Sequence, residues 1–275
     1  MSQSRDIVLN DGHAMPRLGL GVWQTPPEAT ADAVATALAA GYRHIDTAAA
    51  YRNEAGVGEG VKRSGLTRGE VFVTTKLWND YQGFDSTLRA FEGSLKRLGF
   101  DVLDLFLIHW PAPKQDRYLE SWRAMIRLRD EGRVRSIGVS NFAVQHLDRL
   151  IDETGVTPAV NQIELHPTFS QGTLRTEDYQ RNVVTESWSP LGQGALLSNP
   201  TLIEIGRKHG KTAAQVIIRW HLTLDLVVIP KSVTPSRIVE NFDVWDFDLD
   251  AADLAAIAAL DSPGGRLGPD PAAFG

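Results

Sequence analysis

The chain has 275 residues, a net charge of -6 and a hydrophobic content of 43%, enough for one large domain or two small ones around a substantial core. The acidic balance argues against a general nucleic-acid surface, though not against a local basic pocket. The sequence has no cysteine, which excludes disulfides, thiolate chemistry and cysteine-based metal sites.

The N-terminal stretch "MSQSRDIVLNDGHAMPRLGLGVW" lacks the apolar run of a signal peptide. No later apolar run reaches the length of a membrane span, so a cytoplasmic protein without a membrane partner is expected. "IVLNDG" followed by "HAMPRL" predicts a small hairpin turning at Asn-Asp-Gly. Strand candidates follow at 18–23, 42–47, 71–78, 102–110, 134–141, 159–165, 183–190 and 226–232. Helix-length amphipathic segments separate them. "TADAVATALAAG" carries helical spacing and a Gly stop. "STLRAFEGSLKRLG" repeats the pattern with Ser86 as a candidate N-cap, and "DRYLESWRAMIRLRDEG" does so again. Eight strand–helix units predict a (β/α)₈ TIM barrel, with the opening hairpin as a plug under its N-terminal mouth. The rival is an open doubly wound sheet. No linker or low-complexity run divides the chain, so 1–275 is expected to be one domain. The Gly/Pro-rich end, 263–275, is either a flexible tail or a cover for the pocket. The short segment "PAPKQDRY" after the fourth barrel strand suggests an open pocket.

In such a barrel the chemistry sits at the C-terminal strand ends. The second barrel strand ends in Asp46, with Tyr51 just beyond. The third carries Lys76 and then Trp78, and the fourth ends in His109 and Trp110. Ser140 and Asn141 end the fifth. The sixth carries Gln162 and Glu164, the seventh Trp188, and the eighth ends in Lys231 and Ser232. Each alone has an ordinary reading: a turn aspartate or helix N-cap, a solvated lysine, a structural histidine. Together they would converge on one mouth.

The motifs resemble those of the aldo-keto reductases nearly end to end. "GYRHIDTAAAYRNEAGVG" resembles the family's first signature and "IPKSVTPSRIVENFDVWDFDL" its C-terminal one. "TTKLWN", "LFLIHWP", "IGVSNF", "VNQIELHP" and "SPLG" lie between them in order. The chain is most similar to the short bacterial members that include 2,5-diketo-D-gluconate reductases.

The resemblance implies NADPH-dependent reduction of an aldehyde or ketone, with a catalytic tetrad of Asp46, Tyr51, Lys76 and His109. Tyr51 would donate the proton. A phenol's ordinary pKa of about 10 is high for proton cycling near neutrality, and a neighbouring ammonium, assigned to Lys76, favours the phenolate. Asp46 would keep Lys76 charged and fixed, and His109 would orient the carbonyl. Trp23, Trp78, Trp110 and His109 would line the substrate pocket, although tryptophans there also suit rim packing.

For the cofactor, the resemblance implies Ser140, Asn141 and Gln162 at the nicotinamide carboxamide and Trp188 stacked on the ring. The "SPLGQG" segment, with Ser189, Leu191 and Gln193, would follow the pyrophosphate. Lys231, Ser232, Val233, Thr234 and Arg237 would take the 2′-phosphate, and Glu240 and Asn241 would contact adenine. Thr234 stands where the close bacterial relatives often carry Arg. "GLGVWQ" is not a dinucleotide fingerprint, because the G-x-G-x-x-G pattern would need glycine at Gln24. The glycines of "GVGEG" at a helix start are equally unconvincing. The remaining histidines (His13, His44, His146, His166, His209 and His221) show no metal spacing, so no metal is expected.

Two other functions use the same residues. Lys76 could form a Schiff base in a lyase, with Tyr51 and Asp46 as acid and base. The chain could also hold NADPH without catalysis, as a regulatory protein. A monomer is expected from the family likeness alone, with a small carbonyl compound as partner and no nucleic acid.

Overall fold

The computed structural model describes residues 4–275. Residues 1–3, part of the expected domain and of the N-terminal stretch read above, lie outside the described residues. A hairpin of β1 (Asp6–Val8) and β2 (Ala14–Pro16) precedes eight parallel strands: β3 (Leu20–Gly21), β4 (His44–Asp46), β5 (Phe72–Leu77), β6 (Leu103–Ile108), β7 (Val134–Ser140), β8 (Val160–Glu164), β9 (Val184–Trp188) and β10 (Val227–Val228). The strands neighbour one another in chain order from β3 to β10. The sheet then closes on itself. Gly19 N donates to Val228 O at 2.9 Å, Val228 N to Arg17 O at 2.8 Å and Gly21 N to Pro230 O at 3.2 Å. The chain forms a (β/α)₈ barrel, and the open-sheet alternative falls away.

The helices are α1 (Pro27–Ala40), α2 (Glu54–Arg63), α3 (Phe84–Leu98), α4 (Tyr118–Asp130), α5 (Val144–Thr154), α6 (Gly172–Gln180), α7 (Pro200–His209), α8 (Ala213–Thr223), α9 (Pro235–Phe242) and α10 (Ala251–Ala258). Local chemistry sets their ends. Pro27 opens α1, where its missing N–H costs nothing, and Gly41 ends it in the left-handed region at φ 112°. Ser86 is not an N-cap, which corrects the expectation. The first turn of α3 begins at Phe84, and Ser86 Oγ donates back to the carbonyls of Gln82 (2.9 Å) and Gly83 (3.2 Å). The glycines of "GVGEG" lie inside α2, where they let helices approach. A Cβ on Gly60 would lie 2.6 Å from Val34 Cβ, and one on Gly58 would lie 2.0 Å from the Leu98 carbonyl oxygen.

Most of the core lies between the strands and the helix ring. A separate cluster joins Leu9 and Met15 of the hairpin to Phe72, Leu105, Leu107, Val160 and Val227. The hairpin therefore plugs the N-terminal end with apolar side chains. The "GLG" run marks the barrel seam. A Cβ on Gly19 would meet His44 Nδ1 at 2.6 Å, and one on Gly21 would meet the Ile229 carbonyl oxygen at 2.8 Å.

Candidate active site

Strand side chains alternate faces, so an inward residue recurs every second position. Cross-strand register sets Asp46 beside Thr74, Lys76 beside Leu107, Gln162 beside Glu186 and Glu164 beside Trp188. Polar residues from separate strands thus meet at the C-terminal mouth, above the apolar plug. The mouth opens into a cleft of about 1340 Å³ whose lining includes Asp46, Tyr51, Lys76 and His109.

Lys76 is fully buried. Its Nζ donates to Asp46 Oδ1 at 2.6 Å and to the Thr47 carbonyl at 2.9 Å. The same nitrogen stands 5.2 Å from the centre of the Tyr51 ring. The other Asp46 oxygen accepts from Gln162 Nε2 at 2.8 Å. Tyr51 ends a single 3₁₀ turn, Ala49–Tyr51, after which Arg52 adopts φ 58° and redirects the chain toward α2. Buried Asn53 braces this corner. It accepts from Thr47 Oγ1 (2.7 Å) and donates to the carbonyls of Val22 (2.9 Å) and Thr25 (3.3 Å). His109 meets Tyr51 edge-on with 5.7 Å between ring centres, and Trp78 likewise at 5.3 Å. Its Nδ1 is buried with no hydrogen-bond partner.

Burial pushes the Tyr51 phenol upward more than the Lys76 ammonium and its hydrogen bond pull it down. The expected net lowering of Tyr51 is corrected accordingly: buried as it is, the phenol holds its proton more tightly than usual, with Lys76 limiting the rise. Burial works against the Lys76 charge, but Asp46, with smaller help from Tyr51 and Glu186, outweighs it and the ammonium is held above its ordinary range. A Schiff-base nucleophile needs a free amine lone pair, which this lysine lacks. Burial, then the Lys76 charge, keeps His109 well below its usual value and therefore neutral.

Sequence reasoning passed over Glu186. It is fully buried, and its Oε2 accepts from Gln162 Nε2 at 2.8 Å. Burial, then the Asp46 charge, pushes this carboxyl up to about 8. The available signal was an acidic residue at mid-strand, two positions before Trp188 and so on the same inward face.

Trp23, Trp78 and Trp110 line the cleft, as do Ser140, Asn141, Gln162, Trp188, Ser189, Gln193 and Lys231. Ser140 Oγ donates to the Gln162 carbonyl (2.8 Å), Asn141 Nδ2 to the His109 carbonyl (3.0 Å), and Trp188 Nε1 to Asn141 Oδ1 (2.8 Å). Leu191, Ser232, Val233, Thr234, Arg237, Glu240 and Asn241 do not line it. Leu191 packs on the core, and the others lie on or just before α9. Glu240 accepts from Thr212 Oγ1 at 2.9 Å. The exposed side chains of Lys231 and Arg237 have no hydrogen-bond or ion-pair partner among the described residues.

The expected open mouth is narrowed by the C-terminal segment. Leu267 N (2.6 Å) and Gly268 N (2.9 Å) donate to the two oxygens of Glu164, a carboxylate also contacted by His166 Nε2 at 3.1 Å. Gly268 lies so near Trp188 that a Cβ would come within 2.5 Å of the indole. Phe274 rests on Trp110, with ring centres 4.6 Å apart, and stands 6.4 Å from Trp78. Among the described residues no cluster of His, Asp or Glu is arranged to hold a metal ion, and no helix is long and apolar enough to cross a membrane.

The Aldo/keto reductase family model matches residues 17–262. The chain belongs to the aldo/keto reductase family. The reductase is 58% identical over 268 residues to "Aldo-keto reductase" of Mycobacterium sp. strain KMS, covering 98% of this chain and 97% of the relative. It is 54% identical over 277 residues to "Methylglyoxal reductase DkgA" of Escherichia coli, covering 100% of both chains. A crystal structure of a Gox0644 mutant in complex with NADPH matches with a TM-score of 0.95 at 53% identity, covering 100% of both chains. The aldo/keto reductase from Brucella melitensis matches with a TM-score of 0.90 at 55% identity, covering 93% of this chain and 99% of that one.

Proposed function

We infer that this aldo/keto reductase reduces an aldehyde or ketone to the alcohol with NADPH, using Tyr51 as the proton donor. The observation that carries this reading is the buried Lys76–Asp46 pair with its ammonium 5.2 Å from the centre of the Tyr51 ring and the His109 ring edge-on to the same phenol. When bound, the cofactor supplies the hydride that reduces the carbonyl carbon. Negative charge then develops on the carbonyl oxygen, and the Tyr51 hydroxyl donates its proton there. The Lys76 ammonium stabilises the phenolate left behind until solvent reprotonates it. Asp46 keeps that ammonium charged and in place, and His109 orients the carbonyl oxygen through its ring. General acid catalysis of this kind contributes roughly 10²–10⁴-fold.

The residues present fit NADPH. Lys231, on the cleft wall, and Arg237, in the first turn of α9, carry unpaired side-chain charges, with Ser232, Val233 and Thr234 between them. They would hold the 2′-phosphate. Ser140, Asn141 and Gln162 would hold the carboxamide, Trp188 the nicotinamide ring, Ser189, Leu191 and Gln193 the pyrophosphate, and Glu240 and Asn241 the adenine. The Oε1 of Gln162 is the clearest spare acceptor, because the amide nitrogen is committed to two carboxyls. Trp23, Trp78 and Trp110 would wall the substrate pocket. The likeness to a methylglyoxal reductase and the breadth of the cleft support small dicarbonyls or keto-sugars as substrates. The reading extends to one domain acting as a cytoplasmic monomer with no nucleic-acid or membrane partner. The acidic, cysteine-free composition supports it, and sedimentation at working concentration tests the monomer.

Tyr51→Phe tests the central assignment. Carbonyl reduction is expected to fall by about 100-fold or more, with the NADPH dissociation constant near that of the native protein. Near-native turnover would move the acid elsewhere, first to His109.

A further inference from the structure

Beneath the reacting groups lies a second carboxyl that the chemistry above does not use. Glu186 sits at mid-strand on β9, fully buried. Its Oε2 accepts from Gln162 Nε2 at 2.8 Å, and the same nitrogen donates its other hydrogen to Asp46 Oδ2 at 2.8 Å. Asp46 in turn holds Lys76. One amide nitrogen therefore bridges two acids, and the chain Glu186–Gln162–Asp46–Lys76 ends under the Tyr51 ring.

We propose that Glu186 is a positioning residue for carbonyl reduction, whose protonated form holds Gln162 against Asp46 and so fixes the Lys76 ammonium beneath Tyr51. The proposal rests on the roles assigned above to Tyr51, Lys76 and Asp46.

The geometry favours the protonated form. A buried carboxylate needs a cation or several donors. Glu186 has one donor on Oε2, while its Oε1 has no hydrogen-bond partner. The titratable groups facing it are His44 and Asp46 on β4, Lys76 on β5 and Tyr51 just beyond β4. Lys76 is already matched by Asp46. His44 Nε2 stands 3.7 Å from Oε1, but burial and then Lys76 hold that ring at about 3, so it is neutral. Gln162 is the uncharged contribution of β8, and β3 and β10 bring no titratable side chain. Ionised Glu186 would thus add an uncompensated negative charge beside Asp46. That charge would strengthen the proton's hold on Tyr51 and make it a weaker acid. It would also compete with Asp46 for the shared amide.

The sign of the pH effect follows. The carboxyl is neutral below its raised value of about 8 and ionises as the pH climbs through it. kcat/KM for reduction should be flat near neutrality and fall above about pH 8. Glu186→Gln keeps an acceptor for Gln162 but has no acidic proton. Its kcat/KM at pH 7 is expected within about threefold of native, and its alkaline limb should move up by at least about one pH unit, so that near pH 9 it keeps about fivefold more of its own pH 7 activity than the native enzyme does. Glu186→Met, an apolar volume match, removes the acceptor. It should lower kcat about tenfold near neutrality and show no fall of its own near pH 8, with little change in the NADPH dissociation constant. Circular dichroism confirms that each variant is folded, and Tyr51→Phe serves as the control. If Tyr51→Phe retains turnover, the assignment of the acid has failed. If Tyr51→Phe is inactive but Glu186→Gln keeps the native alkaline limb, the limb belongs to Tyr51 and the role given to Glu186 is overturned. A native profile without any fall between pH 7 and 10 overturns it without recourse to a variant.

Discussion

Lys76 illustrates how little a side chain's identity says without its surroundings. At a strand end in water it would be a solvated cation; here burial works against its charge, and Asp46 at 2.6 Å, together with Tyr51 and Glu186, more than offsets that cost. Arg237 is the opposite case, exposed and unpaired. An acidic chain should repel the 2′-phosphate of NADPH unless local cations receive it. A charge-assisted hydrogen bond is worth roughly 1.5–3 kcal/mol. Arg237→Ala is therefore expected to weaken NADPH binding by about ten- to a hundredfold, since 1.4 kcal/mol is a factor of ten. NADH binding should change much less. Titrations of both cofactors at fixed salt check this, and equal losses would remove Arg237 from the phosphate site.

Between elements, two contacts carry consequences that can be measured. The first is the hold of β8 on the C-terminal segment through Glu164, which receives two backbone N–H groups. Glu164→Ala leaves those donors without their acceptor, and charge-assisted bonds of this kind are worth roughly 1.5–3 kcal/mol each. Hydrogen exchange of the amides in 263–275 should quicken. KM for an apolar aldehyde should rise about tenfold as Phe274 leaves Trp110. Unchanged exchange would show that Phe274 alone seats the segment. The second is the crossing of α2 and the end of α3. A methyl on Gly58 would press on a backbone carbonyl at 2.0 Å, which cannot rotate away as a side chain can. Gly58→Ala should destabilise the fold by about 1–3 kcal/mol or more, read from denaturant midpoints. An unchanged midpoint would mean that the two helices slide apart freely.

Across the whole barrel, stability and chemistry occupy opposite ends. The hairpin places Leu9 and Met15 against Phe72, Leu105 and Leu107 at the N-terminal end, while Asp46, Tyr51, Lys76 and His109 line the cleft at the other. Met15 is fully buried, and Met15→Ala should cost about 2–5 kcal/mol. Its melting temperature should fall while kcat/KM at 25 °C stays near native. A variant that loses turnover in proportion to stability would show that the plug also shapes the mouth.

The sequence by itself determined the alternation of eight strands with helices, because period-2 and period-3.6 patterns and Gly or Pro stops are local properties. It also placed Asp46, Lys76, His109 and Trp188 at strand ends, since a strand's exit is legible from where its apolar run stops. Local pattern reached less far at Ser86, where an N-cap was expected two positions beyond the true helix start. Only the tertiary structure decided which strand ends face one another. The Lys76–Asp46 bond, the amide bridge from Gln162 to Asp46 and Glu186, and the seating of Gly268 on Trp188 all join residues far apart in the chain. Tyr51 shows why this matters for chemistry. Its neighbour Lys76 predicts a lowered pKa, yet burial outweighs that charge, and burial is a property of the closed barrel rather than of any segment within it.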